Sequence, residues 1–327
     1  MEKILEVIDL RVYYDLPQGS VKAIDGVDLD VVKGEILGIA GESGSGKSTL
    51  ALTVSGLLRP PAKVVSGKVL FNGVDILKLK NDELRSIRGS KIGMIFQDPN
   101  TYLNPIYTVG FQVGEVFEAH RGGSLRKYLD EVVKLFKAVK IADPERRVNA
   151  YPHQMSGGMK QRVLISMAIA GEPELIVADE PTSALDVTVQ AEIVELLNEI
   201  RDRMNTSVIF ITHDLALLLE ISNRVAIMYA GKLVEVGKSS EMLKDPLHPY
   251  TKALLSSLRY ERKKKLASIK GSIPSLINPP SGCRFHMRCP YALPKCSQVE
   301  PKLVDVNGRK VACFLVGDGY GGSDKSH

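Results

Sequence analysis

Small residues surround a single lysine at residues 41–49, where the order is Gly-Glu-Ser-Gly-Ser-Gly-Lys-Ser-Thr. A mostly apolar stretch at 35–40 comes before, and an apolar segment at 50–58 follows, which is typical of a strand, a glycine-rich loop and a helix. Backbone N–H groups of such a loop bind phosphate, the lysine reaches the β- and γ-phosphates, and the next serine can ligate Mg²⁺. The residues that we predict to bind a nucleoside triphosphate are Gly41, Ser43, Gly44, Ser45, Gly46, Lys47, Ser48 and Thr49.

Two adjacent carboxylates follow a second apolar run. The sequence Leu-Ile-Val-Ala leads into Asp179 and Glu180, which therefore stand at the carboxyl end of a strand, where open α/β sheets bind their ligands. We expect Asp179 to hold Mg²⁺ together with Ser48, and Glu180 to activate the attacking water as a general base. A third strand-like run ends at His213, whose ring is then placed to orient that water.

A second candidate phosphate site lies further along the chain. Residues 156–162 read Ser-Gly-Gly-Met-Lys-Gln-Arg and continue into an apolar helical segment. A hydroxyl and free N–H groups at the start of a helix bind anions, which predicts a phosphate-binding surface at Ser156, Gly157, Gly158 and Met159. One chain therefore offers two phosphate-binding surfaces.

Basic charge and cysteine are concentrated at the C-terminal end. The chain carries 43 basic and 38 acidic side chains, but residues 251–327 alone hold 14 basic and 5 acidic ones. The same segment contains all four cysteines, Cys283, Cys289, Cys296 and Cys313. No apolar run reaches the ~18 residues needed to span a bilayer, and the N-terminus is too polar for a signal peptide. We therefore expect a cytoplasmic protein with reduced thiols.

The spacing of the cysteines leaves three alternatives open. Five, six and sixteen residues separate them, which fits the common zinc and ferredoxin patterns poorly. Four thiolates are nevertheless the ligand set of a [4Fe–4S] cluster, and we favour that alternative. A Zn²⁺ site and free or disulfide-paired thiols are the other two, and His286 can substitute for one ligand.

The order of the motifs resembles the ATP-binding subunits of ABC transporters. The segment that carries the resemblance, residues 151–190, reads YPHQMSGGMKQRVLISMAIAGEPELIVADEPTSALDVTVQ. The resemblance implies ATP and Mg²⁺ as ligands and an α/β P-loop NTPase cassette, with a RecA-like core, an antiparallel β subdomain and a helical subdomain at about 100–170. It sets a nucleotide-binding domain at 1–245 and a small cysteine-containing extension at 246–327.

The resemblance also assigns individual residues. Residues 156–159 correspond to the family's signature, with Met159 in the place of its glutamine. Tyr14 would stack on adenine, although Tyr13 is adjacent, and Gln97 would be the Q-loop glutamine that also ligates Mg²⁺. The residues implied in catalysis are Glu180, His213, Gln97 and Lys47. The implied D-loop consists of Ser183, Ala184, Leu185 and Asp186.

The tail resembles one branch of this family. Residues 248–255, HPYTKALL, and 282–290, GCRFHMRCP, are similar to the C-terminal extension of the oligopeptide/dipeptide importer ATPases, in which some members have an iron–sulfur cluster. The resemblance implies a peripheral protein at the cytoplasmic face of the membrane. Its partners would be a second, non-identical ATP-binding subunit in a head-to-tail dimer, two membrane-spanning permease subunits and, indirectly, an extracytoplasmic peptide-binding protein.

The resemblance also bears on the transported substrate. Dipeptides or longer peptides are expected, and an importer of nickel or oligosaccharide and a non-transport ABC ATPase are the alternatives. Binding of nucleic acid through the basic tail is not expected, because few aromatic residues accompany its charges.

Overall fold

The computed structural model describes residues 2–183, 185–258 and 271–316. The strands in these ranges are β1 (Lys3–Leu16), β2 (Gly19–Val32), β3 (Ile36–Ala40), β4 (Ala62–Phe71), β5 (Val74–Asp75), β6 (Ile92–Ile95), β7 (Leu175–Asp179), β8 (Ser207–Ile211), β9 (Arg224–Tyr229), β10 (Lys232–Lys238), β11 (Val304–Val306) and β12 (Arg309–Val311).

The α-helices are α1 (Lys47–Val54), α2 (Asn81–Ile87), α3 (Pro99–Tyr102), α4 (Val109–Arg121), α5 (Leu129–Ala138), α6 (Pro144–Arg147), α7 (Gly157–Ile169), α8 (Val187–Met204), α9 (Leu215–Ile221), α10 (Ser239–Lys244) and α11 (Pro249–Leu258). Short 3₁₀ turns occur at Ile76–Lys78, Leu125–Tyr128, Pro152–Gln154 and Pro294–Ser297. No helix in the described ranges is both long enough and apolar enough to cross a bilayer.

The larger sheet carries the predicted α/β core. Its strand order is β11-β12-β10-β9-β3-β8-β7-β6, and β9, β3, β8, β7 and β6 run parallel. Every residue of β3, β7 and β8 is buried, because elements cover both faces of these strands. The carboxyl ends of the parallel strands therefore lie along one edge of the sheet, as the sequence predicted for an α/β fold.

A smaller antiparallel sheet covers one face of this core. It has the order β2-β1-β4-β5, and its side chains form one apolar cluster with β3 and α1, in which Leu10, Ile39 and Leu50 are buried. A second cluster joins α4, α5 and α7 to the other side of the larger sheet through residues such as Phe117, Phe136 and Val163. The predicted α/β fold with an antiparallel subdomain is thus confirmed, and α3 to α7 occupy the segment expected to be helical.

The C-terminal extension adds strands to the larger sheet. Strand β12 pairs with β10, with Val311 opposite Glu235 and Lys310 opposite Val236. An aromatic cluster reinforces this attachment, because the Phe285 ring lies 5.2 Å from the Tyr229 ring and 5.3 Å from the Tyr250 ring. The proline-rich run at residues 272–283 predicts linker or loop, and no sequence pattern predicted the β11–β12 hairpin that follows it. The expected boundary at residue 245 stays a prediction, and the basic residues at 259–270 lie outside the described residues.

The aromatic cluster generates a prediction about stability. Phe285 is only 2% exposed, so Phe285→Ala should lower the free energy of unfolding by about 3–5 kcal/mol through lost packing and a residual cavity. The matched control is Tyr291→Ala in the same loop, where the ring is 60% exposed and the expected change is within about 0.5 kcal/mol. Urea denaturation of the full chain measures both, and equal midpoints for the two variants would contradict the role of Phe285.

Candidate functional site

The phosphate-binding loop connects β3 to α1, as the sequence predicts, and two of its glycines have no room for a side chain. A Cβ atom at Gly41 would lie 2.2 Å from the Met228 carbonyl oxygen, and one at Gly46 would lie 2.2 Å from the Ala23 carbonyl oxygen. Gly46 also has a φ of 104°, which other residues rarely adopt. These close approaches set the path of the loop, and the N–H groups at the start of α1 carry the partial positive charge of a helix terminus.

Lys47 is almost fully buried at the floor of the loop. Its Nζ donates to the carbonyl oxygens of Gly41, at 2.8 Å, and Glu42, at 3.1 Å. Burial lowers the pKa of Lys47, although the carboxylates of Glu180 and Asp179 act in the opposite direction. Its hydrogen bonds go to neutral carbonyl oxygens, so a bound phosphate would give the ammonium group a directly contacting counter-charge, and the loop is suited to an anion.

Asp179 ends β7 beside this lysine and is also buried. Its Oδ1 atom has no hydrogen-bond partner within the described part of the chain, and burial raises the pKa of the carboxyl group while a hydrogen bond with Ser48 lowers it. A buried carboxylate oxygen without a partner is costly. The oxygen atoms of Asp179 and Ser48 are the hard ligands that Mg²⁺ prefers, so these residues fit the expected ion.

Two side chains predicted to act in catalysis contact the carboxylate of a third, Glu180. Glu180 Oε2 accepts a hydrogen bond from Gln97 Nε2 at 3.2 Å and lies 3.3 Å from His213 Nδ1. Glu180 has a φ of 47°, and its N–H donates to the Ile211 carbonyl oxygen at 2.8 Å. Such a backbone conformation is strained for a glutamate, and strain of this kind concentrates at functional sites. Residues that follow β6, β7 and β8 are thereby brought together at the edge of the sheet.

A cavity of about 570 Å³ contains most of the predicted ATP-binding side chains. Tyr14 lines this cavity, and its Oη lies 3.1 Å from Thr49 Oγ1. Tyr13 instead donates a hydrogen bond to Asp25 Oδ1 at 2.7 Å and is not part of the lining. The predicted residues that line the cavity are Tyr14, Ser43, Gly44, Gly46, Lys47, Ser48, Thr49, Gln97, Glu180 and His213. Gly41 and Ser45 do not line the cavity; Ser45 is buried and its Oγ has no hydrogen-bond partner among the residues described.

The signature residues are not part of this cavity. Ser156 precedes α7, and its Oγ accepts a hydrogen bond from the Met159 N–H at 3.3 Å. Ser156 and Gly157 are exposed, which leaves the start of α7 open to a ligand from outside the chain. The two predicted phosphate-binding surfaces therefore do not meet within one chain.

The expected D-loop lies next to this surface. Gly157 and Gly158 face Leu185 and Val189, and a Cβ atom at Gly158 would come within 2.7 Å of Val189 Cγ1. Asp186 ends the D-loop by capping α8, since its Oδ1 accepts from the Val189 N–H at 3.0 Å. Ser183 also lies in the described chain, whereas Ala184 lies outside the described residues.

The four cysteines all line one small cavity in the extension. All are free thiols, and the Cys283 N–H donates to the Cys296 carbonyl oxygen at 2.8 Å. Burial raises the pKa of Cys283 to about 11 and also raises the pKa values of Cys289 and Cys313. Within residues 2–183, 185–258 and 271–316, no group of three or more His, Cys, Asp or Glu side chains has the geometry to hold a metal ion. The donor set expected for a cluster is thus gathered at one place, but it is not arranged around a metal position.

One part of the lining of the cavity at the phosphate-binding loop was not predicted from the sequence. Leu276 lines the cavity from the C-terminal extension, and its carbonyl oxygen accepts a hydrogen bond from the Lys22 N–H at 2.9 Å. Val21 and Ala23 of β2 also contribute to the lining. No local motif marks these residues, because their position depends on how the extension and the smaller sheet attach to the core.

The chain is similar in sequence to known proteins over nearly its whole length. A sequence model described as "ABC transporter" matches residues 24–183, and one described as "Oligopeptide/dipeptide transporter, C-terminal region" matches residues 234–296. The chain is 47% identical over 312 residues to the dipeptide transport ATP-binding protein DppD of Haemophilus influenzae, which covers 95% of this chain and 94% of that protein. It is 44% identical over 313 residues to the oligopeptide transport ATP-binding protein OppD of Salmonella typhimurium, which covers 95% and 93%.

Solved structures match the fold as well. The ATP-binding cassette MJ0796, described as a dimeric post-hydrolysis state bound to ADP and Pi, is 30% identical with a TM-score of 0.63, over 72% of this chain and 98% of that one. The protein cbiO1 from Clostridium perfringens, part of an ABC transporter complex, is 29% identical with a TM-score of 0.63, over 80% and 97%. With relatives this similar over nearly its whole length, the chain belongs to the ATP-binding proteins of the oligopeptide/dipeptide ABC transporter family.

Proposed function

We propose that this chain hydrolyses ATP to power the import of dipeptides or oligopeptides, as one of two cassettes attached to a membrane-spanning pair of permease subunits. The observation that carries the proposal is that Lys47 and Glu180 line one cavity at the phosphate-binding loop, with the buried carboxylate of Asp179 close enough to act on Lys47. The transport names of the relatives favour peptides over the nickel or oligosaccharide alternatives and over a non-transport ATPase. An extracytoplasmic peptide-binding protein would deliver the substrate.

The residues of the cavity divide the work of phosphoryl transfer to water. Lys47 and the loop N–H groups bind the β- and γ-phosphates, and Tyr14 stacks on the adenine ring. Asp179, Ser48 and Gln97 would hold Mg²⁺, which when bound neutralises charge on the phosphate oxygens. Catalysis here depends mainly on positioning and electrostatic stabilisation, because the transferred group needs little covalent help.

Glu180 accepts the proton of the attacking water. The water oxygen forms a bond to the γ-phosphorus while the bond to the β–γ bridging oxygen breaks. Gln97 and His213, at 3.2 Å and 3.3 Å from Glu180 Oε2, hold the carboxylate in one orientation. Fixing the base in advance lowers the entropic cost of reaching the transition state.

The exposed signature supports the pairing of two subunits. Ser156 and Gly157 present a helix N-terminus away from the chain's own cavity. Their ligand would be the ATP held by the partner's phosphate-binding loop, so that each ATP is enclosed between two subunits. The partner in this proposal is a non-identical ATP-binding subunit, and the assembly is peripheral to the membrane on its cytoplasmic side.

The cysteine-lined cavity supports a [4Fe–4S] cluster held by Cys283, Cys289, Cys296 and Cys313. Sulfur donors of this number suit the cluster, and metal binding deprotonates thiols even when burial raises their pKa. The side chains must shift to surround a metal, since the described arrangement does not. A cluster at this place would join segments that are far apart in sequence and so stabilise the extension.

The general-base role generates a prediction about turnover. Glu180→Gln should lower the rate of ATP hydrolysis by the assembled transporter about 10²–10⁴-fold, because the amide cannot accept the proton. Binding of Mg·ATP should persist, since Lys47 and Asp179 are unchanged. The control is Glu172→Gln, an exposed glutamate that pairs with Arg121, which should leave turnover unchanged. Undiminished hydrolysis in the Glu180 variant would reject it as the base.

The cluster generates a second prediction. Protein purified without oxygen should be brown and contain about four iron and four sulfide per chain. Cys296→Ser should remove most of this iron, because it deletes the most deeply buried ligand. Exposed Ser297→Ala in the adjoining position serves as the control and should retain it. A colourless wild-type protein with one zinc per chain would replace the cluster with the Zn²⁺ alternative, and a metal-free protein would exclude both.

A further inference from the structure

The C-terminal extension contacts the phosphate-binding loop directly through an ion pair. The guanidinium of Arg288 donates to both carboxylate oxygens of Glu42, with distances of 2.6 Å and 3.0 Å. Glu42 is the second residue of the loop, whereas Arg288 lies beside Cys289 in the cysteine-containing segment. A forked contact of this kind fixes both the distance and the orientation of the two groups.

Arg288 is itself held firmly. Its side chain is 6% exposed, its N–H donates to the Phe285 carbonyl oxygen at 2.9 Å, and its guanidinium lies 5.8 Å from the centre of the Tyr229 ring. Nη1 also donates to Tyr229 Oη at 3.3 Å. The Glu42 carboxylate therefore pairs with a buried guanidinium group that the aromatic cluster holds in place. Its partner is not a flexible side chain on the surface.

Glu42 is bound at three points, and the extension supplies two of them. Its N–H donates to Tyr250 Oη at 3.0 Å, and its carbonyl oxygen accepts from Lys47 Nζ at 3.1 Å. Its carboxylate accepts the two hydrogen bonds from the Arg288 guanidinium. Tyr250 and Arg288 both follow residue 245, so the extension fixes the backbone at the residue that also contacts the phosphate-binding lysine.

The charge of Glu42 makes this contact relevant to nucleotide binding. The Glu42 carboxylate is one of three that act electrostatically on Lys47, together with Glu180 and Asp179. A triphosphate bound at Lys47 would be repelled by an unpaired Glu42 carboxylate, because like charges near a protein surface repel each other and solvent screens them only in part. Pairing with Arg288 removes that repulsion.

We propose that Arg288 is a positioning residue for ATP, which neutralises Glu42 and holds the phosphate-binding loop in the shape that accepts a triphosphate. The inference rests on the proposed ATP site and deepens it, because it makes the extension a part of that site. Leu276, which lines the same cavity from the extension, is consistent with this arrangement.

The test measures binding of Mg·ATP to the full chain by isothermal titration. Arg288→Gln should raise the Kd about tenfold, since it leaves a partly buried carboxylate unpaired near the phosphates. The double variant with Glu42→Gln should return to within about threefold of wild type, because the repulsion is then gone. The charge-matched control is Arg309→Gln, an arginine of the extension that pairs with Asp245 instead of the loop, and its Kd should equal that of wild type.

Two further measurements distinguish the loss of charge neutralisation at Glu42 from a loss of folding. If Arg288→Gln does not fold, Arg288→Lys takes its place as the test variant. Lysine keeps the positive charge but cannot make the paired hydrogen bonds to the carboxylate, so the Kd should rise about threefold. The defect of Arg288→Gln relative to wild type should shrink as salt rises, because screening weakens the repulsion from the unpaired Glu42 carboxylate. A structural defect would respond neither to salt nor to the Glu42 change.

The outcomes that overturn the proposal are distinct from those that overturn the ATP site. A wild-type Kd in Arg288→Gln, or a double variant as weak as Arg288→Gln alone, excludes the positioning role. Absence of Mg·ATP binding to the wild-type chain, or equal binding by Lys47→Ala, would instead reject the nucleotide site on which the inference rests.

Discussion

The structure depends on balancing charge around one buried lysine. Lys47 lies beneath the phosphate-binding loop with the carboxylates of Asp179, Glu180 and Glu42 around it, and burial lowers its pKa. A bound triphosphate adds negative charge beside Lys47, and a bound divalent ion adds positive charge beside the carboxylates. The charges of the site can therefore be balanced in the bound state in a way that they are not in the free chain. Every other feature of the site can be understood as a means of holding these charges at fixed positions.

The fold supplies that rigidity. Buried parallel strands end at one edge of the sheet, so Asp179 and Glu180 of β7 arrive beside the loop that follows β3. Close approaches at Gly41 and Gly46 tie the loop to the backbone near Met228 and Ala23. The antiparallel sheet and the extension then close the cavity from outside, through Tyr14 and Leu276. A site that must stabilise developing charge gains from groups that do not need to reorganise.

Local patterns were enough to predict the parts of the site that follow strands. The glycine spacing, the acids after an apolar run and His213 after another identify their own positions, because a parallel sheet places strand ends together. The choice between Tyr13 and Tyr14 could not be made from sequence, since neighbouring residues of a strand face opposite sides and β1 contains register shifts. The structure places Tyr14 in the cavity, and its adenine-stacking role remains a proposal.

Contacts made by the extension could not be predicted in the same way. Arg288 and Glu42 are separated by 246 positions and meet only because β12 pairs with β10 and Phe285 packs on Tyr229. The cysteine spacing likewise left the metal open, and the structure gathers the thiols without arranging them around an ion. Long-range docking, more than local propensity, decides these features.

The most direct test of the charge balance is the effect of Mg²⁺ on ATP affinity in the wild-type chain and in Asp179→Asn, measured by titration of the full chain with and without the ion. The account predicts that Mg²⁺ strengthens ATP binding in wild type. It also predicts that Asp179→Asn binds Mg²⁺-free ATP at least as tightly as wild type, since a buried negative charge is gone, and loses most of the gain from Mg²⁺. An equal gain from Mg²⁺ in both proteins would contradict the placement of the ion at Asp179 and, with it, the balance of charge on which the site depends.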